Sequence, residues 1–119
     1  MYMNKDILAV VDGYNCGLGL AFQVIGGKWK AVILWLLSDK PHRFGELKRQ
    51  LPGISERILI NQLKEMEKDG IIIRHDFKQL PPKVEYSITP FGESLNNALC
   101  PLSNWGLQHE HAIISEVKS

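Results

Sequence analysis

Along residues 18–69, apolar side chains recur every three or four positions, and glycine or proline interrupts this pattern at intervals. Such spacing is typical of amphipathic helices. It predicts one helix that ends at Gly26–Gly27, a second over residues 29–39, a third over residues 43–51 and a fourth from Ser55 to Asp69. The side chains expected to face the core are, in chain order, Leu18, Ala21, Phe22, Ile25, Trp29, Val32, Ile33, Leu36, Leu37, Phe44, Leu47, Leu51, Leu59, Leu63 and Met66.

After Gly70 the hydrophobic period changes to that of β-strands. The segment Ile71–Ile73 is β-branched and is expected to be largely buried. In residues 83–88, polar and apolar side chains alternate, and the preceding Gln79–Pro82 contains two prolines that stiffen the connection. The pattern predicts a two-stranded hairpin with a proline-bearing tip.

Thr89–Pro90 predicts the start of a last helix, with threonine as the N-cap and proline at the first helical position. Pro101 falls inside this helix and is expected to kink it, because proline removes one backbone hydrogen bond. One side of the helix is apolar and consists of Leu95, Leu99, Leu102 and Trp105.

The order of these elements indicates the architecture. Two helices joined by a three-residue turn at Pro52–Ile54, followed by a hairpin, are typical of a winged helix-turn-helix. The predicted fold class is therefore α+β and mostly helical, with a two-stranded wing. A chain of 119 residues is expected to build one hydrophobic core.

The composition is that of a soluble globular protein, with 45% hydrophobic and 23% charged residues. The longest wholly apolar run, Ala31–Leu37, is far shorter than the roughly 20 residues of a membrane span. The N-terminus lacks the basic start and long apolar stretch of a signal peptide. We therefore expect a cytoplasmic protein with no membrane partner.

Charge is distributed unevenly along the chain. Residues 28–83 contain 12 of the 14 Lys and Arg but only 7 of the 13 Asp and Glu, so their net charge is +5, whereas the two flanks together carry −4. A basic centre between acidic ends suggests that the middle of the chain meets an anion.

Several ordered segments resemble the HxlR-type family of winged helix-turn-helix regulators, which lies within the MarR-like superfamily. These segments span most of the chain, from Cys16 to about Gly106. They are Ile25–Trp29, Arg43–Leu47, Leu51–Ser55, Leu63–Gly70, Pro81–Thr89 and Trp105–Gly106.

The resemblance implies a transcriptional regulator that binds double-stranded operator DNA as a homodimer, often near genes that answer oxidant, electrophile or aldehyde stress. It divides the chain into an N-terminal dimer-associated segment (1–15), a winged helix-turn-helix domain (16–89) and a C-terminal dimerisation helix (90–119). The dimer interface would include Leu95, Leu99, Leu102 and Trp105. Two recognition helices related by a two-fold axis would read a near-palindrome.

The fourth helix is the expected recognition helix. With Leu59, Leu63 and Met66 facing the core, its outward residues include Arg57 and Asn61, which can pair with guanine and adenine in a major groove. The candidate DNA-contacting residues on this helix are Ser55, Glu56, Arg57, Ile60, Asn61 and Lys64.

Three of these candidates have an alternative interpretation. Ile60 either packs on thymine methyl groups or belongs to the core after a slight rotation of the helix. Glu56 either accepts from a cytosine amino group or only favours the positive end of the helix. Ser55 is first an N-cap and only secondarily a phosphate ligand.

Basic and polar side chains on the remaining elements are the candidates for phosphate contacts, which add affinity without sequence information. For each lysine the alternative is a solvated surface charge. The candidates, besides Lys64, are Lys28, Arg43, Lys48, Lys78, Gln79 and Lys83.

Cys16 is the candidate redox or electrophile sensor, because relatives commonly carry a cysteine there and a thiol near a helix N-terminus reacts more readily as thiolate. Gly17 replaces the proline that commonly follows it in the family. Cys100 is either a resolving partner across the dimer or, like Cys16, a buried and inert cysteine.

Other functional classes find little support in the sequence. No Ser/His/Asp set, paired carboxylates or phosphate-binding glycine loop indicates an enzyme. No cofactor is indicated, and the histidines of His109–His111 would point to different sides of a helix, so no metal site is expected. The alternatives are a winged-helix module for protein contacts and a regulator that senses a small molecule without thiol chemistry.

Overall fold

The computed structural model describes the backbone of residues 17–118 and the side chains of residues 17–114. The winged helix-turn-helix fold is confirmed, as is the predicted order of elements through the hairpin. The predicted N-terminal segment 1–15 and Cys16 lie outside the described residues. The elements are α1 (Leu18–Ile25), α2 (Trp29–Asp39), α3 (Phe44–Gln50), α4 (Glu56–Lys68), β1 (Ile72–Asp76), β2 (Val84–Ile88), α5 (Pro90–Gln108) and α6 (Glu110–Lys118).

The C-terminal region differs from the prediction of a single helix. The α5 helix continues through Pro101 but ends at Gln108, and His109 separates it from α6. The His109 backbone N–H donates to the Trp105 carbonyl at 3.2 Å, and a ring nitrogen of the same histidine lies 2.9 Å from that oxygen. The hydrophobic pattern of the sequence gives no indication of these hydrogen bonds, so it did not predict the end of α5.

The core forms where α2, α3, α4 and the first residues of β1 meet. Its apolar members, all buried, are Ile33, Leu34, Leu36, Leu37, Leu47, Leu51, Ile54, Leu59, Leu63, Met66, Ile71 and Ile72. Val24, Trp29, Phe44, Tyr86, Ile88, Leu95 and Leu99 are partly buried against it.

The prediction of inward-facing side chains is wrong at some positions. Val32 is exposed and Leu34 is fully buried in its place, because residues 31–37 are all apolar and their pattern cannot tell which side of α2 packs inward. Ile73 is also exposed, unlike the two isoleucines before it. On α1, Leu18 and Phe22 are exposed, whereas Ala21 and Ile25 are half-buried. This helix contacts the core through Val24, which was not among the predicted inward residues.

The wing is an antiparallel pair whose register runs from Ile72 opposite Ile88 to Asp76 opposite Val84. The clean alternation expected for β2 is not observed, since all five of its residues are half-buried. Because α2, α3 and α5 all contact β2, each of its side chains is partly covered from one side or the other.

A short bridge extends the hairpin toward α3. The backbone of His42 pairs with that of Tyr86, with N–H to carbonyl distances of 3.0 and 2.8 Å. The His42 side chain is buried, and its Nδ1 lies 2.7 Å from the Lys40 carbonyl oxygen. The segment between α2 and α3 is thus attached to the strand that forms the wing.

The end of α4 is closed by two reverse hydrogen bonds. Gly70 N–H donates to Glu67 O at 3.0 Å and Ile71 N–H donates to Met66 O at 3.1 Å. This is the Schellman arrangement, which requires the left-handed conformation that Gly70 adopts at φ 79°. It turns the chain directly from α4 into β1.

The start of α5 is fastened to the same place. Thr89 N–H donates to Ile71 O at 3.1 Å, and its hydroxyl donates to Gly70 O at 2.6 Å while accepting from Gly92 N–H at 3.0 Å. A Cβ added at Gly92 would lie only 2.0 Å from Ile71 O. Only glycine therefore lets α5 approach the exit of α4 this closely.

Within the described residues, no single helix has the length and apolar composition needed to span a membrane. The α1 and α2 helices would meet that requirement only together, and they are bent by 75° relative to each other.

We predict that Gly92→Ala destabilises the fold by about 3 kcal/mol or more, because the new methyl group meets backbone that cannot move aside cheaply. Chemical denaturation would measure the change. The matched control is Gly45→Ala in α3, where the new Cβ would only touch the flexible Arg49 side chain at 3.6 Å. A Gly92→Ala protein as stable as the control would contradict the close approach.

Candidate nucleic-acid interface

The outward face of α4 is polar and basic. Leu59, Leu63 and Met66 are buried on its inner side. At 3.6 residues per turn, the positions within about 45° of the opposite direction are 57, 61, 64 and 68. They carry Arg57, Asn61, Lys64 and Lys68, all of which are exposed. Lys68 was not among the sequence candidates, although it shares this face.

The N-terminus of α4 is held by the preceding turn. Leu51 and Ile54 are both buried, and Ile54 N–H donates to Leu51 O at 3.1 Å. Ser55 caps the helix, since its Oγ accepts from Ile58 N–H at 3.1 Å. The capping role expected of Ser55 is therefore confirmed. Glu56 lies in the first turn, where its charge complements the helix dipole.

Ile60 lies on the flank of α4 and is 38% exposed, so the alternative that places it in the core is wrong. Ile58, on the other flank, is 43% exposed and was not singled out in the sequence. The outward basic strip is thus bordered by an apolar side chain on each side.

An ion pair ties α4 to α2. Lys30 Nζ lies 2.6 Å from Glu65 Oε1, and the lysine side chain is buried although its partner is exposed. Burial raises the pKa of Asp69 in the same region, against the opposing effect of the Lys30 ammonium group. Lys30 is therefore engaged within the protein and is unlike the exposed lysines of α4.

On α3, the candidate phosphate contacts Arg43 and Lys48 are exposed, as is Arg49, which was not named from the sequence. Glu46 fixes the start of this helix, because its Oε1 accepts from Arg43 N–H at 2.7 Å. That hydrogen bond lowers the pKa of Glu46. The carboxylate is thereby held on the backbone and leaves the basic side chains free to face an anion.

The wing candidates differ among themselves. Lys78 and Gln79 are exposed, whereas Lys83 is half-buried with its Nζ 4.4 Å from the centre of the Phe77 ring. His75 meets the same ring edge-on at 4.3 Å. Lys28, before α2, is exposed and similarly places its Nζ 4.7 Å from the Trp29 ring.

The apolar side of α5 divides into two halves. Leu95 and Leu99 are partly buried against the core. Leu102 and Trp105 are 61% and 54% exposed. The Trp105 ring stacks on His109, with ring centres 4.9 Å apart. The second half of the stripe therefore has no cover within the described residues.

A cavity of about 310 Å³ lies between α2 and α5. Trp35 and Leu99 contribute to its wall, together with Cys100. Cys100 is a free and exposed thiol, so its interpretation as a buried cysteine is wrong. Within the described residues, no three His, Cys, Asp or Glu side chains are grouped to hold a metal ion.

Comparison with known proteins identifies the family of the chain. A model of the HxlR-like helix-turn-helix family matches residues 24–113. The chain belongs to this family. Its members are transcriptional regulators of the helix-turn-helix type, a DNA-binding and non-enzymatic class.

Individual relatives agree with the family assignment. The HTH-type transcriptional regulator YkvN of Bacillus subtilis is 46% identical over 93 residues, which are 78% of this chain and 79% of YkvN. The structure is similar to that of the redox regulator HypR in its reduced form, with 39% identity and a TM-score of 0.79 over 84% of this chain and 99% of HypR. It also resembles the reduced regulator YodB from B. subtilis, with 34% identity and a TM-score of 0.67 over 74% of this chain and 86% of YodB.

Proposed function

We propose that this HxlR-family regulator binds a near-palindromic operator as a homodimer, with α4 of each protomer in a major groove. The observation that carries the proposal is the exposed face of Arg57, Asn61 and Lys64 on a helix whose other side is fully buried. A major groove admits an α-helix, and the first turns of that helix meet the base edges.

In this proposal Arg57 and Asn61 read bases. The Arg57 guanidinium donates two hydrogen bonds to a guanine, and the Asn61 amide pairs with an adenine, each contributing discrimination of about 1–3 kcal/mol. Ile60 packs from its flank on a thymine methyl group. Ser55 and Glu56 act mainly at the N-terminus of α4. Ser55 caps the helix beside backbone amides that favour a nearby phosphate, and the charge of Glu56 stabilises the helix.

The remaining candidates contact phosphates on either side of the groove. They would position the domain formed by residues 16–89 without selecting sequence. Lys83 must leave the Phe77 ring or bind phosphate beside it. These proposed contacts come from Lys28, Arg43, Lys48, Lys64, Lys78, Gln79 and Lys83.

The proposed dimer interface is the uncovered half of the α5 stripe in the C-terminal region 90–119. Leu102 and Trp105 are large, apolar and exposed next to one another on one helix face, which is typical of an interface. Leu95 and Leu99, also expected there from the sequence, contribute less, because the core of their own protomer already covers them in part.

A thiol response is the third part of the proposal, with Cys16 as the sensor. Its support is the likeness to HypR, described in an oxidised and a reduced form, and to YodB, described after diamide treatment. Cys100, exposed beside the cavity, is the only cysteine whose side chain the described residues 17–114 include.

We predict that Arg57→Ala and Lys48→Ala weaken DNA binding in different ways. Arg57→Ala should relax the preference at one base pair of each half-site, at a cost of about 1–3 kcal/mol. Lys48→Ala should weaken binding to all sequences and lower the slope of log affinity against log salt by about one. Selection from a randomised duplex library, followed by titrations at several salt concentrations, measures both. A wild-type affinity for DNA that does not fall with rising salt concentration would contradict the DNA-binding proposal.

We predict that Trp105→Ala weakens the dimer by about thirtyfold, since a central aromatic residue at an interface typically contributes about 2 kcal/mol or more. Sedimentation across a range of protein concentrations gives the dissociation constant. Leu107→Ala is the matched control, because Leu107 is 67% exposed but lies off the stripe. Equal dissociation constants for the two variants would place the interface elsewhere.

We predict that a mild oxidant or electrophile lowers operator affinity of the wild type and of Cys100→Ser, but not of Cys16→Ser. The reason is that only the thiolate reacts, and Cys16 precedes a helix N-terminus. Operator affinity before and after treatment is the measurement. If Cys16→Ser responds as the wild type does, Cys16 is not the switch.

A further inference from the structure

The tip of the wing carries a solvent-exposed leucine. Leu80 is 92% exposed, more than any other large hydrophobic side chain among the described residues. It is followed by Pro81 and Pro82, which are exposed as well. The tip is therefore an apolar projection, although the wing around it is polar.

The loop that carries Leu80 is braced at its base. Phe77 N–H donates to Lys83 O at 2.9 Å and closes the loop. Lys78, at φ 52°, is held by its N–H, which donates to Asp76 Oδ1 at 2.8 Å. The Lys83 ammonium group lies over the Phe77 ring at 4.4 Å.

Proline limits the remaining freedom of this loop, because its ring fixes φ. Leu80 thus lies between a closed base and two prolines. Little conformational entropy is therefore lost when Leu80 binds a partner, which favours a contact made by its side chain.

Charge around the tip indicates what kind of surface it meets. Residues 77–84 contain two lysines and no acidic residue. A polar acidic groove on a protein would leave the leucine side chain without an apolar partner. A basic partner would repel the two lysines. An apolar point between cations suits the DNA minor groove, where cations meet phosphates and where leucine and proline are among the side chains that insert between base pairs.

We propose that Leu80 enters the minor groove beside the major groove occupied by α4 and wedges into one base step. This inference rests on the proposed function. Partial unstacking by such a wedge kinks a duplex by tens of degrees toward the major groove.

The wedge would also add sequence preference without any hydrogen bond. Pyrimidine–purine steps unstack and kink most easily, so a site with such a step under the wing costs less to deform. The operator should then show a preference for TA or CA/TG at a position that no polar side chain of α4 reaches.

The test compares the wild type with Leu80→Ala and Leu80→Phe on one duplex that the wild type selects from a randomised library. Energy transfer between fluorophores at the two duplex ends reports the bend, and titrations at several salt concentrations report affinity and its salt slope.

Leu80→Ala should remove most of the bend and weaken binding about five- to twentyfold, the usual effect of losing a buried leucine side chain. Its salt slope should not change, because no phosphate contact is lost. Leu80→Phe should retain the bend, since phenylalanine also wedges.

Leu107→Ala is the matched control, because it makes the same substitution at a 67% exposed leucine that lies on α5 and not on the wing. The wedge is overturned if Leu80→Ala bends the duplex as the wild type does, whether or not its affinity falls, or if Leu107→Ala abolishes the bend equally. In either case salt-dependent binding by the wild type would leave the proposed function intact. A wild type with no salt-dependent affinity for DNA would instead overturn the function and the wedge together.

Discussion

The carbonyl group of Ile71 joins the two halves of the molecule. It accepts from Thr89 N–H, and it lies where any side chain at Gly92 would stand. The same few residues contain the end of α4 and the start of α5, so the two helices cannot shift independently at this point. Because α4 carries the basic face and α5 carries a stripe that is uncovered within the described residues, a change in how two protomers meet in the proposed dimer would be transmitted directly to the orientation of α4.

Several helices of this fold serve two environments at once. The inner side of α4 is core and its outer side is basic, while α5 is divided along its length, with a first half against the core and an exposed second half. This economy suits a chain of 119 residues, which can bury only one core. The Lys30–Glu65 ion pair attaches α4 to α2 without using the outward face.

The sequence predicted most of the fold because its boundaries have local causes. Gly26–Gly27, Ser55, Gly70 and Thr89–Pro90 each end or begin a helix through backbone conformation or capping, and the structure places the boundaries there. The inward side of α2 was not predictable, since a run of apolar residues has no period. Contacts between residues far apart in the sequence were equally hidden: neither the Lys30–Glu65 ion pair nor the backbone bridge of His42 with Tyr86 follows from spacing alone. The exposed candidate DNA residues were predicted because their helix has a clear inner stripe.

The backbone bridge between His42 and Tyr86 has a mechanical consequence. It adds a third contact to a two-stranded ribbon that would otherwise be free to flex about its base. The bridge attaches the entry of α3 to the wing through Tyr86, and the Gly70 turn attaches α4 to β1, which favours joint movement of α3, α4 and the wing. In the proposed binding mode, such a stiff surface would adapt little to each site. The DNA would then have to deform, and sites would be ranked by how readily they deform as well as by which bases they display.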